Sequence, residues 1–147
     1  MKKTILVLGI VMAGLFLPTV ISRISAQSDI SLEVRVPFNF TVCQAQLPAG
    51  RYTLKHASSS STHMLVVRGA DNRSVDLACT NDIESSKPVT EGRLVFNRYG
   101  DQYFLSEAWW PGDNMGHELV KTDREKALIK EKPEKVIIKI AKPKKTN

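Results

Sequence analysis

The 147-residue chain is poor in the groups that most enzyme chemistry uses. It has two cysteines, too few for a disulfide-dense scaffold, and three separated histidines, a weak basis for a metal centre. It contains no C-x-x-C, no G-x-S-x-G and no phosphate-cradling glycine loop. His117-Glu118-Leu119-Val120-Lys121 opens like the zinc-protease motif H-E-x-x-H. That motif needs two histidines one helical turn apart, and Lys121 puts a metal-repelling cation in the second place. Neither a metal nor a cofactor is therefore expected. The carboxylates are scattered singly, so a catalytic pair would have to be assembled across strands. A small secreted hydrolase or carbohydrate-acting enzyme is accordingly the alternative reading, and a non-enzyme the leading one.

What the chain does have begins with an address. Lys2 and Lys3 precede a 13-residue apolar run, Ile5 to Leu17; Pro18 breaks it, and Ile24-Ser25-Ala26 offers a cleavage site. Residues 1–26 thus read as a signal peptide, and the protein as exported: periplasmic, cell-surface or extracellular. The rival, an uncleaved anchor from Ile5 to Ile21, is 17 residues long, at the bottom of the spanning range, and holds Gly9, Gly14 and Pro18. After cleavage no membrane span is expected. The charge is unevenly placed. The formal net charge is +6, but Gln27 to Val120 holds 8 basic against 11 acidic residues, and Lys121 to Asn147 holds 10 against 4. A nucleic-acid-binding face on the body is not expected.

From Ser31 the pattern has period two. Leu32, Val34 and Val36 alternate with polar residues, as do Phe38, Phe40 and Val42. Leu47-Pro48-Ala49-Gly50 turns the chain into Tyr52 and Leu54. Ser58 to Thr62 reads as a flexible loop, Met64 to Arg68 and Val75 to Cys79 as strands, and Thr80 to Gly92 as a surface loop. Arg93 to Tyr99 and Gln102 to Trp109 flank Gly100-Asp101, which suits a type II′ hairpin. Its register would set Phe96 against Leu105, Asn97 against Phe104, Val95 against Ser106 and Leu94 against Glu107. Both faces carry large apolar groups, so the hairpin should be central and covered twice. His117 to Lys132 reads as a helix with a Val120, Ala127 and Leu128 stripe that could cover the second face. Val136 to Ile140 fits a last edge strand. The expected fold is mainly β: an antiparallel sandwich or partly open barrel of about six or seven strands with one C-terminal helix. The division is 1–26 signal peptide, 27–132 β-rich domain ending in the helix, and 133–147 basic tail.

Tyr99, Tyr103, Trp109 and Trp110 gather at the hairpin and are the candidate binding surface. An exposed tryptophan among them would stack on a sugar or a partner chain. Cys43 and Cys79 are a candidate disulfide, since export permits one, although strand alternation points them to different layers. Asn39-Phe40-Thr41 and Asn72-Arg73-Ser74 match the N-glycosylation pattern, as chance alone would allow. The basic tail suits anionic envelope polymers or lipid headgroups.

Three segments carry a resemblance: Val36-Pro37-Phe38-Asn39-Phe40-Thr41-Val42, Leu47-Pro48-Ala49-Gly50-Arg51-Tyr52-Thr53-Leu54, and Phe96-Asn97-Arg98-Tyr99-Gly100-Asp101-Gln102-Tyr103-Phe104-Leu105. Through them the chain, from about Val36 to Glu125, resembles a family of small exported bacterial proteins with no established activity. The resemblance implies export and a β-rich domain, nothing catalytic, and glycine as a common residue at the place of Cys43. Leu47 to Tyr52 is also similar to the L-P-x-G-x-Y turn of prealbumin-like sandwich modules. The expectation is an exported, non-catalytic envelope or periplasmic binding or structural protein. Its partners would be an envelope polymer, an anionic lipid or another envelope protein.

Overall fold

The computed structural model describes residues 31–58, 61–71, 75–130 and 132–140. The expected leader, the Asn72 glycosylation pattern and the end from Lys142 lie outside these residues. Among the described residues the fold is mainly β, with ten strands and one short helix. In chain order these are β1 (Leu32–Val36), β2 (Phe40–Val42), β3 (Ala45–Leu47), β4 (Gly50–Ser58), β5 (Ser61–Gly69), β6 (Val75–Glu84), β7 (Gly92–Tyr99), β8 (Gln102–Trp109), β9 (Met115–Leu119), α1 (Asp123–Leu128) and β10 (Glu134–Ile140).

The strands join one open sheet in the order β1-β4-β5-β6-β9-β8, with β7 on β8 and β10 on β7. The small β2–β3 hairpin adds to β8 in parallel at Thr41 and Phe104. β6 links the two halves: Val75–Cys79 pairs with β5, and Thr80–Glu84 with β9. The halves turn their apolar faces onto one core. Leu32, Leu54 and Leu65 come from the first, and Val42, Phe96 and Ile140 from the second. The end strands approach without pairing: a Cβ built on Gly92, the partner of Ile140, would lie 3.2 Å from Leu32 Cδ2.

β1 alternates buried and exposed as its sequence says. The β7–β8 loop is Gly100-Asp101, closed by Tyr99 against Gln102, with Gly100 at φ +59°. The expected register holds at Phe96–Leu105 and Asn97–Phe104, then slips. Val95 faces Glu107 and Leu94 faces Ala108, because Ser106 is an extra residue on β8. The hairpin is covered on both faces, as expected. Phe96 and Leu105 enter the main core, while Asn97, Tyr99 and Phe104 are buried on the other side.

Several expectations are corrected. The hydroxyl run is largely strand, since Ser58 pairs with Ser61. β6 continues to Glu84, into the stretch read as loop, and the strand count exceeds the expected six or seven. His117–Leu119 is strand, not helix: β9 has neighbours on both sides, β6 and β8, and their ladders outweigh the helix-forming tendency of Glu118 and Leu119. The helix is left with six residues, capped by the Thr122 hydroxyl on the Glu125 N–H (3.2 Å). Its Val120, Ala127 and Leu128 stripe is not the docking face either, for Glu125 is the residue it buries. The basic tail starts too early at 133, because Glu134–Ile140 pairs with β7 along its length and belongs to the sheet.

The three segments of the resemblance meet in space. Asn39 Oδ1 accepts from the Ala49 N–H (2.9 Å), and the Tyr52 hydroxyl donates to Pro48 O (2.6 Å), which closes the Pro-Ala-Gly turn. Phe38 stacks on Tyr103 at 3.9 Å and meets Phe96 edge-on at 5.2 Å. Arg98 Nε donates to Gly100 O (2.8 Å) and so braces the β7–β8 turn.

Candidate functional site

The described part of the chain brings all three histidines to one region. β4 supplies His56, β5 supplies His63 and β9 supplies His117; the β6–β9 register makes Asp82 the partner of His117. Asp82 Oδ1 lies 3.4 Å from His117 Nδ1 and 3.6 Å from His63 Nδ1. The His117 contact lacks hydrogen-bond geometry, and both His56 Nδ1 and His117 Nδ1 are buried without a hydrogen bond. The His56 ring stacks on Trp110 (4.8 Å) and meets His117 edge-on (4.8 Å), while Trp110 and His117 are perpendicular at 5.4 Å. Burial pushes the His117 imidazole below its ordinary value, and His56 adds repulsion; Asp82 and Asp113 pull the other way more weakly. His117 therefore sits neutral against the indole at pH 7, as one wall of the core. Among the described residues no group of three His, Cys, Asp or Glu takes a metal-holding arrangement.

The aromatic binding surface is corrected. Trp109 and Trp110 do face opposite ways, but both are buried, at 5% and 6% exposure. Trp110 joins the main core. Trp109 lies on the other face over Gly116, where an added Cβ would fall 2.6 Å from the indole. Arg93 covers that ring at 4.9 Å, and its Nε1 donates to Glu107 Oε2 (2.9 Å). Tyr99 is buried at 7%, and Tyr103 is half-buried under Phe38 and Arg98. These rings are occupied by their own protein, so none offers a stacking platform.

Cys43 and Cys79 are not joined. Cys43 occupies the β2–β3 turn at φ +49°, a left-handed conformation that favours glycine, and packs against the core. Cys79 is exposed on the outward face of β6. They point to different layers, but the reverse of those that alternation indicated. Cys43, just past the end of β2, packs inward, while Cys79 lies exposed with Leu77 and it is Ala78 that is buried.

Two carboxylate features went unread in the sequence. Glu107 and Glu118 are direct partners across β8 and β9, each with its own lysine: Lys135 at 3.1 Å and Lys121 at 3.7 Å. Glu125 is 4% exposed and accepts from Asn97 Nδ2 (2.7 Å), with the Tyr99 hydroxyl at 3.4 Å. Burial raises the Tyr99 pKa, and the Glu125 charge raises it further. Thr122-Asp123-Arg124-Glu125 has the spacing of a capping box, a signal legible in the sequence. Its glutamate is spent on Asn97, whose Oδ1 has no hydrogen bond. The β8–β9 and β6–β9 pairings that gather the other groups follow only once β9 is known to be a strand.

No family model, no curated protein and no solved structure matches this chain.

Proposed function

We propose that the protein is an exported, non-catalytic binding or structural protein of the bacterial envelope, acting through its surface. The observation that carries this reading is what the chemistry-bearing side chains do inside the fold. Trp109 is bonded to Glu107, Glu125 to Asn97, and His56, His117 and Trp110 pack on one another. Each is engaged by a neighbouring side chain of the fold itself, which leaves the outer faces for partners. The curled sheet, with its end strands side by side, supports a partly open barrel as the architecture. The leader supports export, and the three contacting segments support the likeness to small exported bacterial proteins. Envelope polymers, anionic lipids and envelope proteins are the partner classes.

The hydrolase reading rests on Glu107 and Glu118 beside Trp109. It is the weaker one, because each carboxylate faces a lysine rather than an open cleft position.

The test is expression of the full chain in a bacterial host, followed by fractionation and mass measurement. The expected outcome is a mature product beginning at Gln27, recovered outside the cytoplasm and retained on isolated envelope. An uncleaved product confined to the cytoplasm overturns the reading. Hydrolysis of a glycan or ester panel that is lost in both Glu107→Gln and Glu118→Gln replaces it with the enzyme.

A further inference from the structure

The outer face of β1, β4 and β5 concentrates a charge that the composition of the body hides. Acids outnumber bases between Gln27 and Val120, 11 to 8, yet four of those eight bases stand together here. Val34, Val36, Tyr52, Leu54 and Val67 take the inward positions, so alternation turns Arg35, Arg51, Lys55 and Arg68 outward. The register sets Arg35 directly against Arg51, and Arg68 against Thr53. Lys55 is the next outward position of β4 beyond Thr53. Thr53 is thereby surrounded by four cations, with Glu33 as its partner on β1 and Asp71 just past the end of β5. An open cleft of about 450 Å³ runs along Glu33, Arg35, Arg51 and Thr53. A second, of about 290 Å³, shares Thr53 and adds Ser31, Lys55 and Arg68.

Like charges set directly opposite on neighbouring strands destabilise a sheet. The fold shows how it answers that problem elsewhere: Glu107 and Glu118 are such a pair, and each has a lysine. At Arg35 and Arg51 the answer is missing. Among the described residues no carboxylate lies within ion-pairing distance of Arg35, Arg51, Lys55 or Arg68. The repulsion is built into the register with no ion pair to offset it among the described residues, beside a cleft with a hydroxyl at its centre and Glu33 as the carboxylate in its lining.

We propose that this face is a binding site for a phosphate-class oxyanion. The planar forks of Arg35 and Arg51 take the anion's oxygens between them, and Thr53 Oγ1 donates a further hydrogen bond. Lys55 and Arg68 balance a second negative charge, so a diphosphate or a phosphate-bearing surface fits better than a lone monoanion. The site rests on the binding reading above only as to where such groups are met. A titration of purified protein reports it whether or not the chain is exported.

The experiment is a titration of the full chain with inorganic pyrophosphate at low salt, followed by amide NMR. Saturable shifts centred on residues 33–35, 51–55 and 68 are expected, weakening as salt rises. The Arg35→Gln/Arg51→Gln double variant should lose affinity by about tenfold or more. Arg51→Gln alone should meanwhile raise the Tm of the ligand-free protein by about 2 °C, because it removes the repulsion. That rise separates a binding defect from a folding defect. Non-saturable shifts, or equal affinity in the double variant, overturn the site. Vesicles of phosphatidylglycerol in phosphatidylcholine then identify the source. Retention that pyrophosphate competes away assigns the site to a lipid headgroup; pyrophosphate binding without vesicle retention assigns it to a soluble phosphate compound.

Discussion

His117 shows what a titratable ring costs when a fold uses it as a wall. It is buried at 6% exposure between His56 and Trp110, and its folded pKa lies below the unfolded value of 6.5. The unfolded chain therefore binds a proton more readily than the native one. Its contribution to stability is complete above about pH 6.5 and is lost as pH falls from there toward the folded pKa. Urea unfolding at pH 7.5 and at pH 5 should show the native chain losing stability at the acid end, and His117→Gln losing less. An equal loss in both would locate the acid sensitivity elsewhere. The sequence could not foretell this packing. His117 looked like a failed metal ligand on a helix, and only the strand pairing that sets it against Asp82 makes it a core residue.

At the scale of elements, the β7–β8 hairpin was the most legible part of the chain and α1 the least. A two-residue Gly-Asp loop between alternating runs states its own geometry, and the first pairs beyond the loop follow from it. The slip at Ser106 does not, because a bulge answers to the next strand over rather than to the turn. For α1, an apolar stripe suggested how a helix would dock, but the contact is polar: Glu125 reaches Asn97 and Tyr99 on the second face of the hairpin. Glu125→Ala would leave the buried Asn97 amide without its acceptor. The expected cost is about 1–3 kcal/mol, far above the few tenths typical of an exposed helix residue. Double-mutant unfolding with Asn97→Ala checks the origin. The two losses should be strongly non-additive; simple additivity would mean that the contact contributes little.

The whole molecule is held by how its ends are used. Period-two alternation made the β class plain, and the inward positions of β1, β4 and β5 follow from it. What alternation cannot give is which strands are neighbours, and the arginine face, the histidine group and the place of β10 all depend on that. Residues 133–147 read as a basic tail because their lysines outnumber Glu134, although Val136 to Ile140 within them already fits an edge strand. Their alternation instead turns Val136, Ile138 and Ile140 toward the core, and the strand covers β7 from Arg98 to Gly92. It also brings the last strand beside the first near Leu32. A chain ending at Lys132 would expose the β7 edge and lose the burial of those three side chains, on the order of 3 kcal/mol. Its Tm should fall by about 10 °C, with a tendency to associate through the bared strand. A chain ending at Ile140 keeps every described strand and should melt with the full chain. Calorimetry on both decides whether β10 closes the fold, and a Lys132 truncation as stable as the full chain would show that it does not.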